Sequence, residues 1–139
     1  MKMRAALPVL MLLALAACQS TPPTLYDRLG GKAAIDQVVE DFVANVAADP
    51  SIFPKFAKTD IPKLKRLLSE QICEATGGPC KYTGRDMKTT HKGMNITTAE
   101  FNATGAALAK ALDKNKVPAR EKNELLTAIG SMQNDIVGQ

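Results

Sequence analysis

The sequence predicts one all-α domain preceded by an export signal, and three observations support this. Apolar residues repeat at helical spacing through most of the chain, and no run alternates as a strand would. The length of 139 residues with 45% apolar side chains suits one small globular domain and argues against a multidomain enzyme. Two of the 18 basic residues, Lys2 and Arg4, fall in the predicted signal. Without them the net charge of +4 drops to about +2, so nucleic-acid binding is not predicted.

The N-terminus is typical of a bacterial lipoprotein signal. The apolar run at residues 5–17 is too short to span a bilayer and predicts a signal peptide over residues 1–17. It ends Leu15-Ala16-Ala17-Cys18, which resembles a lipobox, so we expect a lipidated Cys18 and a tether, together residues 18–24. The alternative is a plain secretory peptide that leaves Cys18 as a spare thiol. Both predict the periplasmic side of the cell envelope, and Gln19 favours the outer membrane as the site of the anchor.

If the protein is exported and Cys18 is lipidated, Cys73 and Cys80 are the two remaining cysteines, and they lie in an oxidising compartment. The residues between them include Gly77-Gly78-Pro79, where a helix is predicted to stop and the chain can turn back. This favours a disulfide. Free structural thiols are the first alternative, and a metal site is the second. The metal is disfavoured because two thiols and one distant histidine lack a zinc-site spacing.

Four main helices follow from the apolar period and from capping signals. The first is bounded by Gly30-Gly31 and Pro50, and the second opens at Asp60 with Pro62 in its first turn. Thr97 and Glu100 form a capping box that opens the third, and Pro118 opens the fourth. Their apolar stripes are Ile35, Val38, Val39, Phe42 and Val46; Ile61, Leu64, Leu68 and Ile72; Phe101, Leu108 and Leu112; and Leu125, Ile129, Met132 and Ile136.

The short segment between Gly84 and Gly93 does not fit the pattern of a core helix. It has room for about two turns, and Met87 and His91, four residues apart, share one face that can point into a pocket. His91 is the only histidine in the sequence. A lone histidine is more often a surface or core residue than a ligand, so spacing alone leaves its role open.

Several strings in order resemble a group I truncated haemoglobin, over roughly residues 25–137. They are Leu25-Tyr26-Asp27-Arg28-Leu29-Gly30-Gly31, Val39-Glu40-Asp41-Phe42, Gly77-Gly78-Pro79, Tyr82-Thr83-Gly84, Met87, His91 and Ile96-Thr97. The resemblance implies a truncated two-over-two globin fold over residues 25–139, built around haem b with His91 as the iron ligand. It also implies binding of a diatomic gas, whether oxygen, nitric oxide or carbon monoxide. Nitric oxide detoxification would additionally require a reductase as partner.

The resemblance also assigns the haem pocket. Phe56 is expected to pack on the macrocycle, and one ring nitrogen of His91 is expected to donate to a backbone carbonyl near Met87. Tyr82, with Lys63 or Lys88, is a candidate for contacts with the haem propionates. The apolar lining is expected to come from Phe42, Leu64, Leu68, Met87 and Phe101.

The main departure from the family concerns the distal pocket, on the side of the haem opposite His91. Group I members generally carry a Tyr where this chain has Val43, and often a polar residue where it has Leu68. We therefore expect an apolar distal pocket and rapid oxygen release, with Gln71 and Thr104 as substitute hydrogen-bond donors. Lys65 is a candidate for a second iron ligand.

A second class of function is a haem-free helical adaptor lipoprotein of the envelope. His91 and its flanking glycines disfavour this alternative, because an adaptor needs no lone histidine on a short helix facing a haem site. The sequence assigns no catalytic residue under either interpretation.

Overall fold

The computed structural model describes residues 21–139, and helices form nearly all of its regular structure. The predicted signal peptide and Cys18 lie outside the described residues. The eight helices of this part are α1 (Leu25–Leu29), α2 (Gly31–Ala48), α3 (Phe53–Phe56), α4 (Ile61–Ala75), α5 (Met87–His91), α6 (Thr98–Lys114), α7 (Ala119–Gly130) and α8 (Gln133–Ile136). An isolated parallel bridge joins Ile96 to Val137, and no strand occurs in residues 21–139. The all-α prediction is therefore confirmed for this part of the chain.

The helix starts follow the capping signals. The Asp60 carboxylate accepts a hydrogen bond from the backbone N–H of Lys63 at 3.0 Å, which satisfies an otherwise unpaired donor at the start of α4. Thr97 and Glu100 form the predicted capping box at the start of α6. A second capping box, between Thr24 and Asp27, starts α1 and was not predicted.

The prediction of a single helix after Pro118 is wrong in one respect, because the structure has two helices there. α7 ends at Gly130, and α8 starts after a break at Ser131 and Met132. Glycine costs about 1 kcal/mol relative to alanine in a helix interior, so the helical conformation is less stable at Gly130. The Ser131 hydroxyl donates to the carbonyl of Ala128 at 2.6 Å, so it competes with continuation of the backbone ladder.

Helix α2 is the centre of the domain and packs mainly against α6 and α4. The most deeply buried large side chains are Val39, Ile52, Cys73, Leu112 and Leu125. No helix among residues 21–139 is both long and apolar enough to span a bilayer.

Ion pairs between helices help to hold the domain together, and two of them involve buried carboxylates, those of Glu121 and Asp41. Arg28 of α1 contacts Glu121 of α7, with Nε and Oε1 3.0 Å apart. Asp41 of α2 accepts from Lys114 Nζ at 2.6 Å and from the Asn115 amide at 2.8 Å at the end of α6. These hydrogen bonds, chiefly the one from Lys114, lower the pKa of Asp41 below its ordinary value.

A disulfide joins Cys73, in the last turn of α4, to Cys80, with the Cα atoms 5.7 Å apart. The Cys73 sulfur lies close to Gly78, and a Cβ added at Gly78 would be 2.6 Å from it. The bond thus fixes the loop that leaves α4 towards α5.

Candidate functional site

A cavity of about 640 Å³ is lined by residues from each of the helices α2 to α8. Most of its lining is aliphatic or aromatic. The structure brings together at this cavity all seven residues that the sequence assigns to cofactor binding: Phe42, Phe56, Leu64, Leu68, Tyr82, Met87 and Phe101.

His91, the last residue of α5, is half-buried and also lines the cavity. Its Nδ1 lies 2.8 Å from the backbone carbonyl oxygen of Met87, and since a carbonyl only accepts, Nδ1 carries the proton of the neutral ring. The lone pair is therefore on Nε2, the form in which an imidazole binds a metal.

The local sequence explains why α5 is short and well placed. The Asp86 carboxylate accepts from the backbone N–H of Thr89 at 2.9 Å and caps the start of the helix. Gly93 stands just beyond its end with φ of +80°, a left-handed conformation that glycine adopts without steric cost. His91 is thus held between a capped start and a sharp exit.

The loop before α5 is fixed by Tyr82 and by contacts to α4. The Tyr82 hydroxyl donates to the carbonyl of Arg85 at 2.7 Å, and burial raises the pKa of this phenol. A Cβ at Gly84 would lie 2.2 Å from that hydroxyl, so the close approach requires glycine. Glu70 of α4 accepts from both the backbone N–H (3.0 Å) and the hydroxyl (2.6 Å) of Thr83, which lowers the pKa of Glu70.

Comparison with known proteins identifies the fold around this cavity. The bacterial-like globin family matches residues 24–137. The chain is 37% identical over 118 residues to the group 1 truncated hemoglobin of Mycolicibacterium paratuberculosis, covering 85% of this chain and 87% of that one. The chain belongs to the group I truncated globins. This globin is also 33% identical over 116 residues to the group 1 truncated hemoglobin of Nostoc commune, covering 84% and 98% of the two chains.

Solved structures give the same result. Truncated hemoglobin from Tetrahymena pyriformis in its Fe(III) form superposes with a TM-score of 0.81 at 31% identity, over 84% of this chain and 100% of that one. The 2/2 hemoglobin from Synechococcus sp. PCC 7002, described as having covalently attached heme, superposes with a TM-score of 0.78 at 32% identity over the same fractions. The predicted truncated two-over-two globin fold is confirmed.

The predicted distal residues of this globin occupy different places. Leu68, Gln71 and Thr104 line the cavity, whereas Val43 is buried in the hydrophobic core and is not part of the lining. Phe42 of α2 lines the cavity, and the next side chain, Val43, packs into the hydrophobic core about 100° further round the helix. The Thr104 hydroxyl donates back to the carbonyl of Glu100 at 2.8 Å and is already engaged.

The structure does not place the lysines that the sequence analysis named, Lys63, Lys65 and Lys88, at the cavity. Lys65 instead forms an ion pair with Glu40 at the surface. Lys65 follows Leu64 on α4, but its ammonium is held outside the cavity by the carboxylate of Glu40 on α2. The structure thus does not support Lys65 as a candidate second iron ligand.

Lys55 is the lysine that the sequence analysis missed. It lines the cavity, and its Nζ donates to the carbonyl of Met94 at 2.9 Å and lies 3.6 Å from a Glu100 carboxylate oxygen. The four-residue helix α3 that carries Lys55 is too short to show a periodic pattern. Only its place directly before Phe56 could have drawn attention to it.

Proposed function

We propose that this globin binds haem b in the cavity, with His91 as the iron ligand, and a diatomic gas beside it. The observation that carries the proposal is the 2.8 Å contact from His91 Nδ1 to the Met87 carbonyl, which leaves Nε2 free to bind iron. The cavity volume of about 640 Å³ lies in the range of about 300–1,000 Å³ common for ligand and cofactor pockets. When bound, haem would supply an iron that can take a small gas.

Different residues of this globin would contact the macrocycle, exclude water from it and hold His91 in place. Aromatic rings at Phe42, Phe56 and Phe101 offer flat apolar surfaces for a macrocycle, and Leu64 and Leu68 exclude water from the α4 side. The disulfide and the Glu70 contacts to Thr83 hold the loop that leads into α5, and so keep His91 in place. The Tyr82 proton is already donated to a backbone carbonyl, so at a propionate this side chain would need to exchange partners.

The experiment is a titration of haem-free protein with haemin, followed by absorbance. His91→Gly should lose stable haem binding and regain it when imidazole is added, because the small molecule can occupy the vacated position. Thr89→Ala is the matched control, since its exposed side chain lies on the same helix outside the cavity lining. Haem binding by His91→Gly at native affinity without imidazole would contradict the assignment.

Oxygen, nitric oxide and carbon monoxide are the proposed ligands. Formation of nitrate from nitric oxide and oxygen consumes one electron per turnover, so detoxification would require a reductase as partner. The test is nitric oxide consumption in air with and without a chemical reductant, and consumption that continues only with the reductant supports detoxification. The haem-free adaptor has no support from the family or from the relatives.

We also propose that the protein is lipid-anchored at Cys18 on the periplasmic side of the envelope, with the outer membrane favoured. The support is the Leu15-Ala16-Ala17-Cys18 string, together with the Cys73–Cys80 disulfide, a bond that persists in oxidising compartments. Metabolic labelling with a fatty-acid analogue should mark the native protein and not Cys18→Ser. Equal labelling of both, or of neither, would contradict the anchor.

A further inference from the structure

The two cysteines of the disulfide differ in exposure. Cys73 has no exposed surface and belongs to the hydrophobic core. Cys80 is half-buried and lines a second cavity, of about 350 Å³, together with four residues of α2 and four of α4. A thiolate must reach the sulfur that it attacks, so access decides which end of a disulfide reacts. Of these two cysteines, Cys80 is the one that an incoming thiol can reach.

The charged side chains of this second cavity neutralise one another. They form three ion pairs: Lys32 with Asp36, Lys65 with Glu40, and Arg66 with Glu70. Three positive and three negative groups leave no net charge, so the cavity discriminates among thiols by access and not by charge. Its volume is at the lower end of the range of about 300–1,000 Å³ common for ligand pockets, which suits a small thiol or the reactive end of a larger one.

The disulfide is the covalent link between α4 and the loop that leads to α5. Further along the loop, Thr83 donates to Glu70 of α4 at 2.6 and 3.0 Å, but these hydrogen bonds are exposed to solvent and each stabilises the loop only modestly. Helix α5 begins at Met87, four residues after Thr83, and ends at His91. Without the covalent link, this part of the loop would be held to α4 by exposed hydrogen bonds.

We propose that the disulfide is a thiol-exchange site at which a dithiol attacks Cys80 Sγ, and that its reduction loosens the loop before α5 and speeds the loss of haem. The exchange does not depend on the proposed function. The effect on haem rests on that function and deepens it, because the affected loop positions His91.

The exchange takes two steps. A thiolate of the dithiol forms a bond to Cys80 Sγ, the bond between the two cysteine sulfurs breaks, and its electron pair passes to Cys73 Sγ, which takes a proton from solvent. The second thiolate of the dithiol then attacks its partner sulfur in the mixed disulfide and releases Cys80, which is protonated in turn. The dithiol thus loses two electrons and two protons, and the protein gains both as two thiols. The core can retain the Cys73 thiol, since a buried thiol behaves as a small apolar group.

The first test locates the sulfur that reacts. The purified protein is mixed with glutathione, quenched with acid and mapped by mass spectrometry, and we expect the mixed disulfide on Cys80 and not on Cys73. Cys73→Ala and Cys80→Ala form a matched pair, each with one of the two thiols left. The thiol that remains in Cys73→Ala should react with glutathione disulfide at least about tenfold faster than the one in Cys80→Ala. Adducts on Cys73, or equal rates in the two variants, would overturn the assignment.

The second test measures haem transfer from the holoprotein to excess apomyoglobin, before and after reduction. The reductants are dithiothreitol and a reduced Cys-X-X-Cys oxidoreductase, and the one that acts at the lower concentration shows whether the cavity favours a small dithiol or a protein dithiol. We expect transfer to become about fivefold faster, because a loop that must be ordered weakens binding. The double variant Cys73→Ala/Cys80→Ala is the control, and it should transfer haem at the fast rate with or without reductant.

Leu112→Ala separates this coupling from a general loss of stability. Leu112 is buried in the core and lines neither of the two cavities, so its truncation destabilises the domain without touching the loop. Leu112→Val replaces it if the alanine variant does not fold. An equal acceleration of haem transfer by this variant, or an unchanged rate in native protein with both thiols reduced, would overturn the coupling. A native protein that takes up no haem would instead refute the proposed function, while the glutathione test still reports on the exchange site.

Discussion

Breaking the Cys73–Cys80 disulfide should lower the stability of the domain by a measurable amount. The bond closes a loop across a sequence separation of seven residues. The chain-entropy relation gives about 2.4 kcal/mol of stabilisation at 25 °C for a loop of that length. For a domain of this size each kcal/mol corresponds to about 4 °C, so Tm should fall by about 10 °C.

The assay is thermal unfolding followed by circular dichroism, with and without reductant. Cys80→Ala is the better variant, because Cys73 is fully buried and its remaining thiol behaves as a small apolar group. The variant should melt near the temperature of the reduced native protein and should not respond to reductant. A native Tm that stays constant while mass spectrometry shows both thiols reduced would refute the loop-closure reasoning.

Two further substitutions test the packing and the electrostatics. Gly78→Ala should destabilise by about 1–3 kcal/mol, since a Cβ there would lie 2.5 Å from the ring of Tyr26. Gly130→Ala is the steric control: a Cβ there meets no atom within 4 Å, so it should not destabilise, and the higher helix propensity of alanine should make it stabilising by up to about 1 kcal/mol. Asp41→Asn should flatten the acid side of the stability profile in melts from pH 7 to pH 2. The hydrogen bond from Lys114 keeps the folded pKa of Asp41 below its ordinary 3.8, so the unfolded chain binds the proton first. Its stabilisation is therefore complete above the ordinary value and is lost as pH falls through the lower folded pKa; native and variant profiles of equal slope would contradict this.

The main helices were predictable because their signals are local. A capping carboxylate such as Asp60, or a capping box such as Thr97 with Glu100, acts within one turn and does not depend on the rest of the fold. The break between α7 and α8 was missed because the apolar repeat continues across it. At this break, the low helix propensity of Gly130 and the hydrogen bond of the Ser131 hydroxyl to the backbone have more effect on the structure than the apolar repeat.

The candidate site was predictable in its apolar lining and less so in its polar groups. The helical period predicts the buried faces of Phe42 and Leu64 and the shared face of Met87 and His91, and the resemblance to the family assigns these residues to the pocket, where the structure has them. Lys55 depends instead on a contact with a distant loop, the carbonyl of Met94, which a single sequence does not encode in any local pattern. Val43 shows the same limit, since alignment fixes its position in the chain but not the direction of its side chain.

The measurement that tests the central claim most directly is the absorption spectrum of the purified, reduced protein before and after carbon monoxide is added. If His91 holds haem in the cavity between α4 and α5, the protein should show an intense haem band that shifts when carbon monoxide binds. Haem that remains bound but gives no shift would contradict gas binding. A protein that takes up no haem when supplied with haemin would contradict the account as a whole.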